Sequence, residues 1–99
     1  MKAIEAIKKI HEYRNKQAAY IESSSIIFKR IFEHQQSKGK TDYNLVCELE
    51  LLGEQLINLS KKENNKMCQL FVDNQCFTHK EKTFTGIELL RIIDENINI

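Results

Sequence analysis

Apolar residues recur every three or four positions through the first sixty residues, which is the spacing of a helix with one buried face. Two helices are predicted, at about residues 2–37 and 42–62, with a tight reversal at Lys38-Gly39-Lys40. The first helix carries a heptad seam of Ala18, Ile21, Ser25, Phe28 and Phe32. The second carries Leu45, Leu49, Leu52, Leu56 and Leu59. Both seams have the spacing of a coiled-coil contact, so the segment is predicted to form an antiparallel helical hairpin.

Residues at the predicted helix ends fit that hairpin. Gly39 suits a helix C-terminal cap, where a residue without Cβ adopts positive φ. Thr41 or Asp42 suits the N-cap of the second helix. Gly53 lies inside the second helix, where it costs about 1 kcal/mol relative to Ala. Close approach of the two helices near Ser25 would account for it, and neutral drift is the alternative.

The hydrophobic period shortens after residue 66. Residues 67–79 predict a β-hairpin turning at Asp73-Asn74, a pair that tolerates the positive φ angles of a two-residue turn. Thr85-Gly86-Ile87-Glu88 then matches a capping box and predicts a final helix. The apolar residues expected to form the buried face of that helix are Ile87, Leu90, Ile93 and Ile97.

These elements define an α+β chain that is mainly α: a long antiparallel helical hairpin, a β-hairpin and a short C-terminal helix. Ninety-nine residues suffice for one domain with a modest core. The predicted domain spans residues 1–99, with the helical hairpin at 1–64 and a ββα unit packed on it at 66–99.

The predicted helices differ in length, and that difference exposes an apolar stripe. The second helix can cover only residues 15–36 of the first, so the N-terminal stripe is left uncovered: Ile4, Ile7, Ile10 and Tyr13. Phe71 lies on the less favoured face of the predicted hairpin. Self-association or another protein would cover these residues. The alternative is that the C-terminal helix folds back over the stripe within one chain.

Charge is unevenly distributed although the net charge is only +1. Residues 1–40 hold nine Lys and Arg against four acidic residues, whereas residues 41–65 hold two against five. Five basic residues of the first helix could follow a phosphate backbone: Lys2, Lys9, Lys16, Lys29 and Arg30. Glutamates interrupt the row, and Glu5–Lys9 and Glu12–Lys16 have the i,i+4 spacing of local ion pairs. A solvated helix face is therefore the simpler interpretation.

Residues capable of chemistry are few and scattered. Cys68 and His79 would be neighbours on one face of the predicted hairpin, but a zinc site needs three or four ligands. His11 has no partner visible in the sequence for acid–base catalysis. An odd count of three Cys and no signal-peptide or membrane-span pattern predict reduced thiols and a cytoplasmic location. No metal, cofactor or catalytic role is predicted.

The sequence thus predicts a small non-enzymatic protein–protein interaction module, such as a regulatory adaptor, an inhibitor or an assembly chaperone, that self-associates, at least as a dimer. The alternative is a nucleic-acid-associated protein that uses the basic face of the first helix. The abundance of Asn, Ile and Lys is typical of a bacterial or phage accessory protein.

Overall fold

A computed structural model describes residues 1–36, 39 and 41–99. Its elements, in chain order, are α1 (Ala3–Gln36), α2 (Tyr43–Asp73), β1 (Phe77–His79), β2 (Lys82–Phe84) and α3 (Gly86–Asp94). The prediction of a mainly helical α+β fold is confirmed. The predicted bounds of the first helix are confirmed to within one residue.

The start of α2 also agrees with the sequence. Asp42 caps the helix, because its Oδ1 accepts a hydrogen bond from the backbone N–H of Leu45 at 3.1 Å. The Asp42 N–H in turn donates to Nε2 of His34 at 3.1 Å, so the end of α1 is tied to the beginning of α2. The predicted turn residues Lys38 and Lys40 lie outside the described residues.

The prediction of a β-hairpin at residues 67–79 is wrong, because α2 continues eleven residues beyond its predicted end. Met67, Leu70 and Phe71 have i, i+3, i+4 spacing and extend the apolar face of the helix. The helix ends at Asp73, and the next residue, Asn74, donates from its N–H and its side-chain amide to the carbonyl of Leu70, at 3.2 and 3.0 Å. The predicted turn is therefore a helix C-terminus.

A shorter hairpin follows, in which β1 pairs antiparallel with β2 and Phe77 lies opposite Phe84. Lys80 adopts φ 55° in the connecting turn. Lys2 forms an isolated parallel bridge with Thr78, whose N–H donates to the carbonyl of Met1 at 3.0 Å. The N-terminal residues therefore pair with β1 along one edge.

The predicted N-cap of α3 is confirmed, whereas the Glu88 side chain of the predicted capping box bonds the Thr85 hydroxyl in place of the Thr85 backbone N–H. Thr85 Oγ1 accepts from the Glu88 N–H at 3.3 Å, and its hydroxyl donates to the Glu88 carboxylate at 3.2 Å. The predicted buried face is shifted, however: Leu89 and Ile92 are buried, while Ile87 is 81% exposed. The helix closes with Asn96 at φ 53° and a hydrogen bond from the Ile97 N–H to the Ile92 carbonyl, which is a Schellman motif.

The contacts divide the chain into two compact units: a first unit of residues 1–14 and 64–99, and a second unit of residues 15–63. The core of the first unit draws on both long helices, the hairpin and α3; its buried members are Ala3, Ala6, Ile10, Leu70, Phe77, Leu89 and Ile92. Arg14 forms an ion pair with Asp94 at 2.7 Å, which links α1 to α3 at the surface. Whether the whole chain behaves as one domain stays a prediction.

The second unit is a helical hairpin, as predicted, but its buried seam lies beside the predicted one. On α1 the buried residues are Ser24 and Ile31. On α2 they include Val46, Gly53 and Ser60, each seven residues from the next. The hydroxyls of Ser24 and Ser60 donate to carbonyls three residues earlier, at 2.7 and 2.6 Å, so their burial leaves neither donor unpaired. Small residues therefore occupy the buried seam, and larger ones flank it.

Candidate interaction surface

The N-terminal apolar stripe that sequence reasoning left uncovered is largely buried within the chain. Ile10 is 0% exposed and belongs to the core of the first unit, and Ile7 packs against that core. Tyr13 is half-buried, and only Ile4, at 40%, is exposed. The expectation of an uncovered stripe is therefore wrong for Ile10. The extended α2, the hairpin and α3 supply the cover that a shorter second helix could not.

Phe71, the other predicted contact residue, lies on α2 and is half-buried. Its ring meets that of Phe77 edge to face, with centroids 6.0 Å apart. On another side it closes over Gly86, where an added Cβ would lie 2.7 Å from the Phe71 ring. Phe71 therefore has an intramolecular packing role at the start of α3.

Exposed apolar residues are concentrated instead in the second unit. Among the described residues, the large exposed hydrophobic residues of this unit are Ile21, Ile26, Phe28, Phe32, Tyr43, Leu45, Leu51, Leu52 and Leu59. On α1 the most regular set is the α1 stripe, which comprises Ala18, Ile21, Ser25, Phe28 and Phe32 at alternating spacings of three and four. These are the residues that the heptad pattern placed inside the hairpin. All five are exposed, with Ile21 at 47% and Phe32 at 62%.

Phe28 shows how the α1 stripe is positioned. A Cβ added to Gly53 would lie 2.7 Å from Cζ of Phe28, so the aromatic ring rests directly on the backbone of α2. Close helix approach near Ser25 is the reason that the sequence suggests for this glycine, but the atoms nearest to an added Cβ belong to the ring of Phe28. Phe28 nevertheless keeps 37% of its surface exposed. One edge of the ring is therefore fixed by α2 while the rest stays open to solvent.

A second exposed row lies on α2. Leu45, Leu52 and Leu59 are seven residues apart and are 39%, 43% and 37% exposed. Leu49 and Leu56, the other members of the predicted leucine seam, are half-buried. The predicted seam is therefore divided: two leucines are partly covered, and the other three face outward.

The basic residues that could contact nucleic acid are all exposed. Lys2 and Lys9 belong to the first unit, and Lys16, Lys29 and Arg30 belong to the second. In the second unit they share α1 with Glu22 and Glu33, which are also exposed. The nucleic-acid alternative stays a prediction.

Groups that could support chemistry are dispersed. His11 borders an open cavity of about 200 Å³ in the first unit, and the residues around it are Ile7, His11, Ile92, Ile93, Asn96, Ile97 and Asn98. His34 accepts the hydrogen bond from the Asp42 N–H already described. Cys47, Cys68 and Cys76 are free and exposed, and Cys68 lies on α2 rather than on a strand beside His79. Within residues 1–36, 39 and 41–99, no group of three or more His, Cys, Asp or Glu is placed to hold a metal ion.

The fold and surface define a small, mainly helical α+β protein with an exposed apolar face on its helical hairpin. Comparison with protein-family models, curated proteins and solved structures found no match to this chain. Of the helices in the described part of the chain, none is both long and apolar enough to span a membrane.

Proposed function

We propose that this protein is a non-enzymatic interaction module that binds a protein partner through the α1 stripe of its second unit. The observation that carries the proposal is the regular row of Ile21, Phe28 and Phe32 on one helix face, open to solvent by 37–62%. Scattered exposed apolar residues are normal on protein surfaces, whereas contiguous apolar patches mark interaction sites. Helical anchors at such spacings are also the means by which helices bind in grooves or bundles.

The gain from covering the stripe supports a protein partner. Removing a half-exposed Ile or Phe side chain from water stabilises a complex by about 1 kcal/mol. Three such residues on a preformed helix are comparable to a small cluster of interface anchors, because a helix already ordered by its own hairpin loses little entropy on binding. The ring of Phe28 is held against α2 by its contact with Gly53.

Site-specific photo-crosslinking in cells tests this function. A benzophenone amino acid replaces Phe32, and a matched control replaces Val72, which is 73% exposed on α2 in the first unit. We expect a discrete protein adduct from position 32 that an additional Ile21→Asp substitution removes, and no such adduct from position 72. Absence of a protein adduct at position 32, or the same adducts at both positions, would contradict the proposal.

A further inference from the structure

We infer that the α1 stripe binds the same stripe of a second copy of this chain, antiparallel, with Ser25 of both copies near the two-fold axis. This inference rests on the proposed interaction function and names its partner. It depends on the residue pattern of the stripe and on two charged residues beside it.

The side-chain sizes along the stripe are complementary when two copies of the stripe pair antiparallel. In an antiparallel pair centred on Ser25, Ala18 of one copy lies opposite Phe32 of the other, because each is seven residues from the centre. The most exposed ring of the stripe therefore meets the smallest side chain of the stripe at both ends. Ser25 at the centre is small enough for the two helices to approach closely, and Ile21 comes within one residue, about 1.5 Å of rise, of Phe28 of the second copy.

Charge follows the same symmetry. Glu22 and Lys29 come four residues after Ala18 and Ser25, so both lie along one edge of the stripe. The antiparallel arrangement brings Glu22 of each copy within one residue of the position opposite Lys29 of the other, which gives two ion pairs. A parallel two-fold pair would instead place the Glu22–Lys29 edges of the two copies on opposite sides of the seam, where these two ion pairs would not form.

Both charged residues are available for such pairing. Glu22 and Lys29 are exposed, and neither takes part in an ion pair within the described part of the chain. Their seven-residue separation places them two helical turns apart, beyond contact with each other in one copy. The pattern therefore favours a second copy over a partner of unrelated sequence, because side-chain size and charge both match across the axis to within one residue of the centre at Ser25.

A charge swap between two variants tests the arrangement. The substitutions E22K and K29E are made on separate chains that carry different fluorescent labels. Each variant alone places like charges opposite each other twice, so we expect its dimer dissociation constant to rise about tenfold or more. An equimolar mixture restores both ion pairs in mixed dimers, and energy transfer between the labels should return to the affinity of the wild-type chain.

Control measurements test whether the loss of affinity depends on the positions of the charges rather than on net charge or folding. Arg30→Glu changes the charge of the same helix by the same amount as K29E, at an exposed residue about 140° around the helix from Ser25, so the wild-type affinity should be retained. Circular dichroism of each variant should show unchanged helix content, because all three residues are exposed. Wild-type protein that stays monomeric, single variants that dimerise as tightly as wild type, or a mixture no tighter than its components would each overturn the antiparallel pairing.

Photo-crosslinking separates failure of this inference from failure of the proposed function. An adduct at position 32 with the mass of two chains supports self-pairing. An adduct with a different protein leaves the interaction function standing and overturns the choice of a second copy. Absence of any adduct contradicts both.

Discussion

The two units differ in how many elements cover their helices. In the first unit both long helices, the hairpin and α3 contribute to one core, and Ala3, Ala6, Ile10, Phe77 and Leu89 are all 0% exposed. In the described part of the second unit, only α1 and α2 contribute. Its most buried apolar residues, Ile31 and Val46, keep 7% and 6% of their surface exposed.

The difference shows what two helices can achieve alone. A pair of helices buries one narrow seam on each, whereas the wide apolar face of a globular helix needs a second neighbour. Residues of α1 near Ile7 have that neighbour in the first unit, whereas Ile21 and Phe28 remain exposed in the described part of the second. The open face of the second unit thus results from the small number of elements that pack together there. Four predictions test this contrast between the units, ordered from the largest expected effect to the smallest.

Core truncation should distinguish the units most strongly. Phe77→Ala removes a fully buried ring from the first unit and should lower the free energy of unfolding by about 3–5 kcal/mol. Phe32→Ala is the same change at a site 62% exposed, and it should cost less than about 1 kcal/mol in dilute protein. Urea denaturation followed by circular dichroism measures both. If Phe77→Ala does not fold, Phe77→Leu replaces it in the comparison, with an expected loss of about 1–1.5 kcal/mol in the free energy of unfolding. Equal losses at positions 77 and 32 would contradict the difference between the two units.

The second prediction concerns the contact of Phe28 with Gly53. Gly53→Ala places a methyl group against the ring of Phe28. We expect the free energy of unfolding to fall by about 1 kcal/mol, because the overpacking outweighs the better helix propensity of Ala. In a Phe28→Ala background the ring is gone, and the same substitution should stabilise the chain by up to about 1 kcal/mol. A thermal-unfolding double-mutant cycle measures the reversal. An identical effect in both backgrounds would show that the ring does not rest on Gly53.

The third prediction removes a cap from the helix that completes the first unit. Thr85→Ala takes away the side chain that accepts from the Glu88 N–H and should cost about 1 kcal/mol. Ser23→Ala is the matched control, since Ser23 is exposed in the middle of α1 and should change stability little. Chemical denaturation compares the two. A loss at Ser23 as large as at Thr85 would argue against the capping role.

The smallest expected effect lies in the hairpin turn. Lys80 adopts a left-handed φ of 55°, which is unfavourable for a residue with a Cβ. Lys80→Gly should therefore stabilise the chain by about 0.5–1 kcal/mol in thermal unfolding. Lys82→Gly, two residues later in β2, should destabilise it, because glycine weakens a strand. Stabilisation by both substitutions, or by neither, would contradict this turn geometry.

Much of the fold could be predicted from local signals. The 3.6-residue period gave both long helices, and the capping residues Asp42 and Thr85 located two helix starts because a cap depends only on neighbouring residues. The hairpin was misplaced because Met67, Leu70 and Phe71 form too short an apolar run to distinguish helix from strand. The polar run at residues 61–65 also resembled a helix end, although Glu63 within it is buried.

The candidate site was harder to predict than the fold. The predicted seam and the buried seam are adjacent on each helix, and the choice between them depends on which residues permit close helix approach. Gly53 was the residue in the sequence that indicated the buried seam. Pairing the helices on Ser24 and Gly53 leaves Ile21, Phe28 and Phe32 outside, whereas pairing them on the largest residues buries these three. Hydrophobicity alone favours pairing the helices on their largest apolar residues. The stripe at Ile4, Ile7 and Ile10 was likewise misjudged because its cover comes from elements distant in sequence.

The most direct test of the open face is the solution mass of the purified protein, measured by light scattering over a series of concentrations. We expect the wild-type chain to reach twice its 11.7 kDa mass, and Ile21→Asp to remain a folded monomer. Val72→Asp, at a residue 73% exposed in the first unit, should dimerise as wild type does. A wild-type chain that stays at 11.7 kDa throughout, or an Ile21→Asp variant that still dimerises, would contradict the assignment of the α1 stripe as a self-association surface.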